Sequence, residues 1–249
     1  MVGLKALIWD LDGTLAETEE LHRRAFNLAF AEAGLPFSWD QELYRELLRT
    51  TGGRERLARY LETCPDCPAL SPEAIAQLHR RKNALYQALL EEGVGLRPGV
   101  RRLLWEAKEA GLRQALATTT SPENAKALLE RAGLEGVFDL VLAGDAAPQK
   151  KPDPGIYLLT LEALGLAPGE VLALEDSENG LRAALGAGVP VLITPSLYTA
   201  LEAFVGARVL LTHLGDPGNP GRVRKGPREG REVVADLGYL EEVRGWWST

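Results

Sequence analysis

The chain has only two cysteines, one methionine and three histidines in 249 residues, so redox and soft-metal chemistry have little to work with. Cys64 and Cys67 form a single Cys-Pro-Asp-Cys pair in a proline-rich stretch. A structural zinc needs four ligands and no second pair exists. The two are therefore read as incidental loop cysteines, with His79 a third ligand only by accident of folding. No apolar run approaches the ~20 residues that span a bilayer, and no basic segment leads into an apolar stretch with a small-residue cleavage site. A cytoplasmic protein without membrane contact is expected. Positive charge is in deficit as well. With 28 basic and 35 acidic residues the formal net charge is −7, which argues against general nucleic-acid binding. Repeats and low-complexity tracts are absent. What remains is an ordinary globular composition, 45% hydrophobic and 25% charged, long enough for one large domain or two smaller ones.

The most informative feature present is Asp10-Leu11-Asp12-Gly13-Thr14, directly after the apolar run Ala6-Leu7-Ile8-Trp9. Side chains two apart on an extended segment leave the same face, so both carboxylates stand together where a buried strand ends. Adjacent anions there are costly unless a cation or substrate compensates them. A turn followed by a helix cap is the plainer alternative for this pair.

Two textures follow. From Glu17 to about Glu92 apolar residues recur at helical spacing, as in Leu21, Ala25, Leu28 and Ala29, which reads as an insert of about four helices. Gly93 to Gly99 reads as the return linker. Beyond it strands at Gln114–Thr118, Val137–Gly144, Val171–Glu175, Val189–Ile193 and Arg208–Leu211 alternate with helices opening at Ser121, Ile156 and Leu181. Strand–helix alternation predicts a parallel sheet covered on both faces. The expected fold class is therefore α/β: a doubly wound, Rossmann-like parallel sheet core with an inserted α-helical cap domain. Expected boundaries are residues 1–16 and 94–214 for the core, 17–93 for the cap, and 215–249 for a C-terminal extension packed on the core. Within that extension 215–230 reads as an irregular connector, Val233 and Val234 as a short strand, and Asp236 as the cap of a last helix.

In such sheets ligands bind beyond the carboxyl ends of the strands. Each central strand here ends in the residue types of a metal–phosphate site: Asp10 and Asp12, then Thr118 to Ser121, then Lys150 and Lys151, then Glu175 and Asp176. Clustered carboxylates repel, and a hard dication with oxygen ligands resolves that, most naturally Mg²⁺. Taken singly, Glu175 and Asp176 could cap a helix, Thr118 could be an ordinary strand residue, and Lys151 a solvated one.

Taken in order, these motifs resemble the haloacid dehalogenase superfamily over nearly the whole chain. The insertion after the first motif, with Glu175-Asp176-Ser177-x-Asn179-Gly180, is similar to the β-phosphoglucomutase and sugar-phosphate phosphatase branch. Thr118 to Asn124, Tyr198-Thr199 and His213-Leu214-Gly215-Asp216-Pro217 look like the CbbY-type phosphatases, whose substrates are sugar bisphosphates such as xylulose 1,5-bisphosphate. The resemblance implies a small phosphorylated sugar as the partner molecule of a monomer or small homo-oligomer.

It also implies roles. Asp10 would be the nucleophile that forms an aspartyl-phosphate, and Asp12 the acid and then base. Thr118 and Lys151, with Lys150 as its rival, would hold the phosphoryl oxygens. Asp10, the backbone carbonyl of Asp12, and Asp176 would hold Mg²⁺, with Glu175 in or beside that shell. Thr18, His22, Lys82 and Thr119 would position the substrate or the acid/base aspartate, and Arg54 would grip a remote phosphate. For His22 a packing role, and for Arg54 pairing with Glu55 or Glu62, are the plainer readings. A phosphatase is expected. A phosphoglucomutase using the same intermediate, or a binding protein that kept the scaffold, are the alternatives.

Overall fold

The computed structural model describes residues 3–247. Residues 1, 2, 248 and 249, which the boundaries 1–16 and 215–249 include, lie outside the described residues. One eight-stranded sheet organises the chain: β1 (Ala6–Trp9), β2 (Arg113–Ala117), β3 (Leu140–Leu142), β4 (Val171–Glu175), β5 (Val191–Ile193), β6 (Leu210–Leu211), β7 (Gly221–Lys225) and β8 (Glu232–Val233). Their spatial order is β3-β2-β1-β4-β5-β6-β7-β8. The first six are parallel, and β7 and β8 add antiparallel. Strand β1, fully buried, lies at the centre between β2 and β4, because its apolar run is covered on both faces.

Alternation along the strands splits the core into two layers. Leu7, Trp9, Leu116, Leu172 and Leu174 face one layer, covered by helices α5 (Val100–Glu109), α6 (Pro122–Arg131) and α9 (Leu237–Gly245). Ala6, Ile8, Ala115 and Ala173 face the other, covered by α7 (Gly155–Leu164) and α8 (Glu178–Gly186). The α/β doubly wound sheet expected from the sequence is the fold observed.

Between β1 and α5 run four helices: α1 (Glu19–Glu32), α2 (Gln41–Leu47), α3 (Gly53–Thr63) and α4 (Pro72–Leu90). They share their own aromatic cluster of Phe26, Phe30, Trp39 and Tyr44. Hydrogen bonds between polar side chains stitch them to the core. Asn124 of α6 is buried between Asn83 (3.0 Å) and Gln87 (3.1 Å) of α4, and Asn179 of α8 donates to Thr51 Oγ1 at 2.9 Å.

Two local expectations are corrected and one helix is added. Residues 215–230 are not irregular throughout, because Gly221 to Lys225 forms β7, whose alternation buries Val223 against the sheet. Helix α5 was hidden behind the Gly/Pro linker and went unread. Cys64 and Cys67 are not two separate thiols but a disulfide, since the turn holding Pro65 brings their Cα atoms to 5.3 Å. Among the described residues no helix is long and apolar enough to cross a membrane.

Candidate active site

The tips of β1, β2 and β4 and the Lys151 loop converge on one buried cluster. Lys151 Nζ lies 2.8 Å from Asp10 Oδ1, 2.5 Å from Glu175 Oε1 and 2.9 Å from the Ala117 carbonyl. Lys150 points elsewhere, to Gly144 and Asp145, so Lys151 is the lysine of the cluster. Thr14 donates to Asp10 Oδ2 at 3.1 Å. Tyr157, fully buried in α7, donates to Glu175 Oε1 at 2.5 Å. Asp176 is held from the far side by Thr199, whose hydroxyl reaches its carbonyl (2.7 Å) and Oδ2 (3.1 Å).

This geometry leaves negative charge uncompensated. Oxygens of Asp10, Glu175 and Asp176 lie within 4.8 Å of one another, and Glu175 Oε2 is buried with no hydrogen-bond partner among the described residues. Burial, partly offset by Lys151 and reinforced by Glu175, pushes the Asp10 carboxyl up to about 7. Burial together with Asp10 and Glu175 raises Asp176 as well. Glycine frames the cluster. Gly13 has φ +82°, and a Cβ there would collide with Asp176, while one on Gly180 would collide with Glu175. An orphaned carboxylate oxygen, mutually raised carboxyls and glycine walls fit a small oxygen-liking dication such as Mg²⁺.

Asp12 turns the other way, toward the helical insert. Its Oδ1 accepts from Thr18 Oγ1 at 2.5 Å and faces His22 Nε2 at 3.1 Å, and its Oδ2 accepts from Thr120. Burial opposes ionisation of Asp12, but His22 and the two hydroxyls outweigh it and hold the carboxyl well below its usual range. An ionised carboxylate only accepts, so His22 carries its proton on Nε2. His22 Nδ1 then accepts from Lys82 Nζ at 2.7 Å. The ring is stacked on Tyr86 at 3.9 Å, which fixes its plane. Burial and Lys82 keep His22 below its ordinary value, and burial and Arg56 bring Lys82 down to about 7.

A cavity of about 290 Å³ opens between this cluster and the helical insert. Thr118, Thr119 and Arg54 also line it. Thr118 is buried and accepts from the Thr120 amide at 3.2 Å, whereas Arg54 is half-exposed and pairs with Glu55 at 3.4 Å. The lining brings the acids Asp10, Asp12 and Asp176 together with the cations Arg54, Arg56, Lys82 and Lys151. Sequence reasoning placed Thr120 in the strand-end run Thr118–Ser121 without a role toward Asp12. It missed Tyr157, Tyr86 and Arg56, which depend on packing between distant segments. His79, considered only as an accidental metal ligand, stands in the cavity wall beside Gly53.

An α/β sheet whose central strand tips gather an aspartate pair, a lysine and two further acids defines a class of hydrolases. The profile of haloacid dehalogenase-like hydrolases matches residues 4–188, and the chain belongs to that family. It is an enzyme of that family, with phosphatases among its relatives. The chain is 50% identical over 219 residues to protein CbbY of Cereibacter sphaeroides, covering 86% of this chain and 94% of that protein. It is 35% identical over 186 residues to the phosphorylated carbohydrates phosphatase of Thermotoga maritima, covering 75% and 82%. Among solved structures, CbbY from Rhodobacter sphaeroides in complex with xylulose-(1,5)bisphosphate is similar with a TM-score of 0.81 and 50% identity, covering 84% of this chain and 94% of that one.

Proposed function

We propose that the chain is a Mg²⁺-dependent phosphatase that hydrolyses a small sugar bisphosphate through an aspartyl-phosphate on Asp10. The observation that carries this reading is the cluster at the strand tips, where Asp10, Lys151, Glu175 and Asp176 gather beside a cavity that Arg54 also lines. The similarity to CbbY, a structure of which holds xylulose bisphosphate, supports the same substrate class.

Asp10 forms the bond to phosphorus as the sugar–oxygen bond to phosphorus breaks. Asp12 protonates the departing sugar oxygen. His22 holds Asp12 ionised without substrate, so its proton arrives as the phosphate dianion beside it raises its proton affinity. In the second half a water attacks phosphorus, Asp12 takes the water's proton, and the Asp10–phosphorus bond breaks. Lys151 and Thr118 hold the phosphoryl oxygens where charge develops. Asp10, Asp176 and the Asp12 carbonyl, with Glu175 in or beside the shell, would hold Mg²⁺, which would supply the positive charge that lets a phosphate approach the carboxylates. Thr18, His22 and Lys82 orient Asp12, Thr119 borders the transferring phosphate, and Arg54 takes the remote one.

The test is release of inorganic phosphate from a panel of sugar mono- and bisphosphates, with Mg²⁺ and with EDTA. The reading expects Mg²⁺-dependent release, fastest from a bisphosphate. Interconversion of glucose 1-phosphate without phosphate release would replace it with a mutase.

A further inference from the structure

We propose that Arg97 clamps both roots of the helical insert onto the core and so acts as a positioning residue for Asp12, with Asp216 as its second anchor. Arg97 is only 7% exposed and sits where the return linker meets the core. Its guanidinium spreads over oxygens from three strand ends. Nη1 donates to the Gly13 carbonyl after β1 and to the Thr194 carbonyl after β5 at 2.6 Å. Nη2 donates to the Pro195 carbonyl at 2.7 Å and to the Thr212 carbonyl after β6 at 3.2 Å. Nε pairs with Glu17 Oε1 at 3.1 Å, the one carboxylate partner this buried cation has among the described residues.

None of these oxygens takes part in the reaction, yet Gly13 and Glu17 adjoin residues that do. Gly13 follows Asp12 directly. Glu17 precedes Thr18, and its other oxygen accepts from the Leu197 amide at 3.2 Å, in the loop whose Thr199 holds Asp176. The backbone repeats the crossing, since the Arg97 amide donates to the Leu15 carbonyl at 2.8 Å and Ala16 bridges to Leu96. A buried guanidinium is costly to desolvate, and oxygen partners from five residues in fixed geometry offset that cost only while the roots stay together.

The His213-Leu214-Gly215-Asp216 motif, which the reaction does not use, completes the device. Asp216 Oδ2 accepts from the Gly99 amide at 2.8 Å, two residues beyond Arg97. Gly99 has φ +87°, and a Cβ there would collide with the Gly215 backbone, so the two segments are in direct contact.

This inference rests on the phosphatase reading for its kinetic assay only. Arg97→Lys, Glu17→Gln and Asp216→Ala are compared with wild type by kcat, KM and hydrogen–deuterium exchange. Glu17 and Asp216 are partly exposed, so their variants keep the test open if Arg97→Lys does not fold. The expected result is a kcat about tenfold lower for Arg97→Lys, as for loss of one charge-assisted hydrogen bond, with KM nearly constant. Glu17→Gln and Asp216→Ala shift kcat the same way by less. Exchange should quicken in 13–18 and 194–199 and not in helices α1, α3 and α4. Unchanged kcat and exchange in the folded variants overturns the proposal, and so does a loss that only tracks the melting temperature. If wild type releases no phosphate from any substrate, the phosphatase reading fails while the exchange comparison still decides the clamp.

Discussion

His22 Nε2 stands 3.1 Å from Asp12 Oδ1, although one residue belongs to α1 and the other follows β1. Asp12, the proposed acid and base, is thus oriented by a helix of the insert as well as by its own strand. Asp12→Asn should lower kcat on sugar phosphates by about 10²–10⁴-fold, the usual worth of general acid–base catalysis. p-Nitrophenyl phosphate, whose leaving group needs no proton, should lose less in the first, product-releasing turnover. A burst measurement on both substrates reads the difference.

Lys82 sets the His22 tautomer through the 2.7 Å contact at Nδ1. Lys82→Met leaves that nitrogen without a donor and should lower kcat by roughly 10- to 100-fold, as expected for a hydrogen bond to a charged group. Steady-state kinetics on one sugar phosphate are sufficient to check it.

Arg54 pairs with Glu55 at 3.4 Å and lines the cavity. Arg54→Ala should cut kcat/KM for a bisphosphate by about tenfold or more, the worth of a charge-assisted hydrogen bond, while p-nitrophenyl phosphate is unaffected. Equal losses on both substrates would make Arg54 structural.

His79 gives a pH prediction. Burial, with Lys82 and other cations near it, holds its imidazole down to about 3 from an ordinary 6.5. Below 6.5 the unfolded chain takes up a proton that the folded chain refuses. Its stability contribution is therefore whole above 6.5 and is lost as pH falls toward 3, at a slope of at most about 1.4 kcal/mol per pH unit. Urea midpoints between pH 7 and 4 should fall more steeply for wild type than for His79→Gln.

Gly13 tests the cation. A Cβ there meets Asp176, and φ +82° disfavours any side chain. Mg²⁺ binding only the folded state should raise the melting temperature of wild type. Gly13→Ala should lose most of that rise together with activity.

Much of this was legible because it is local. Val171–Glu175 is a strand with the bounds its apolar run suggested, and the acids at each strand tip could be counted before any fold was known. What was not legible depends on distant packing. Tyr86 reaches His22 only because α1 and α4 lie side by side, and Tyr157 reaches Glu175 only because α7 covers the sheet. Arg97 looked like a linker residue because its five partners lie on segments scattered from Gly13 to Thr212. β7 was missed for a different reason: its Gly, Arg and Lys content hid a one-valine alternation.

The central claim is that Asp10 becomes phosphorylated. Enzyme mixed with a sugar bisphosphate and Mg²⁺, quenched in acid and digested, should yield the peptide containing Asp10 heavier by one phosphoryl group. The added mass should disappear in Asp10→Asn. Phosphate release by wild type with no such peptide at any quench time, or undiminished release by Asp10→Asn, would contradict the account.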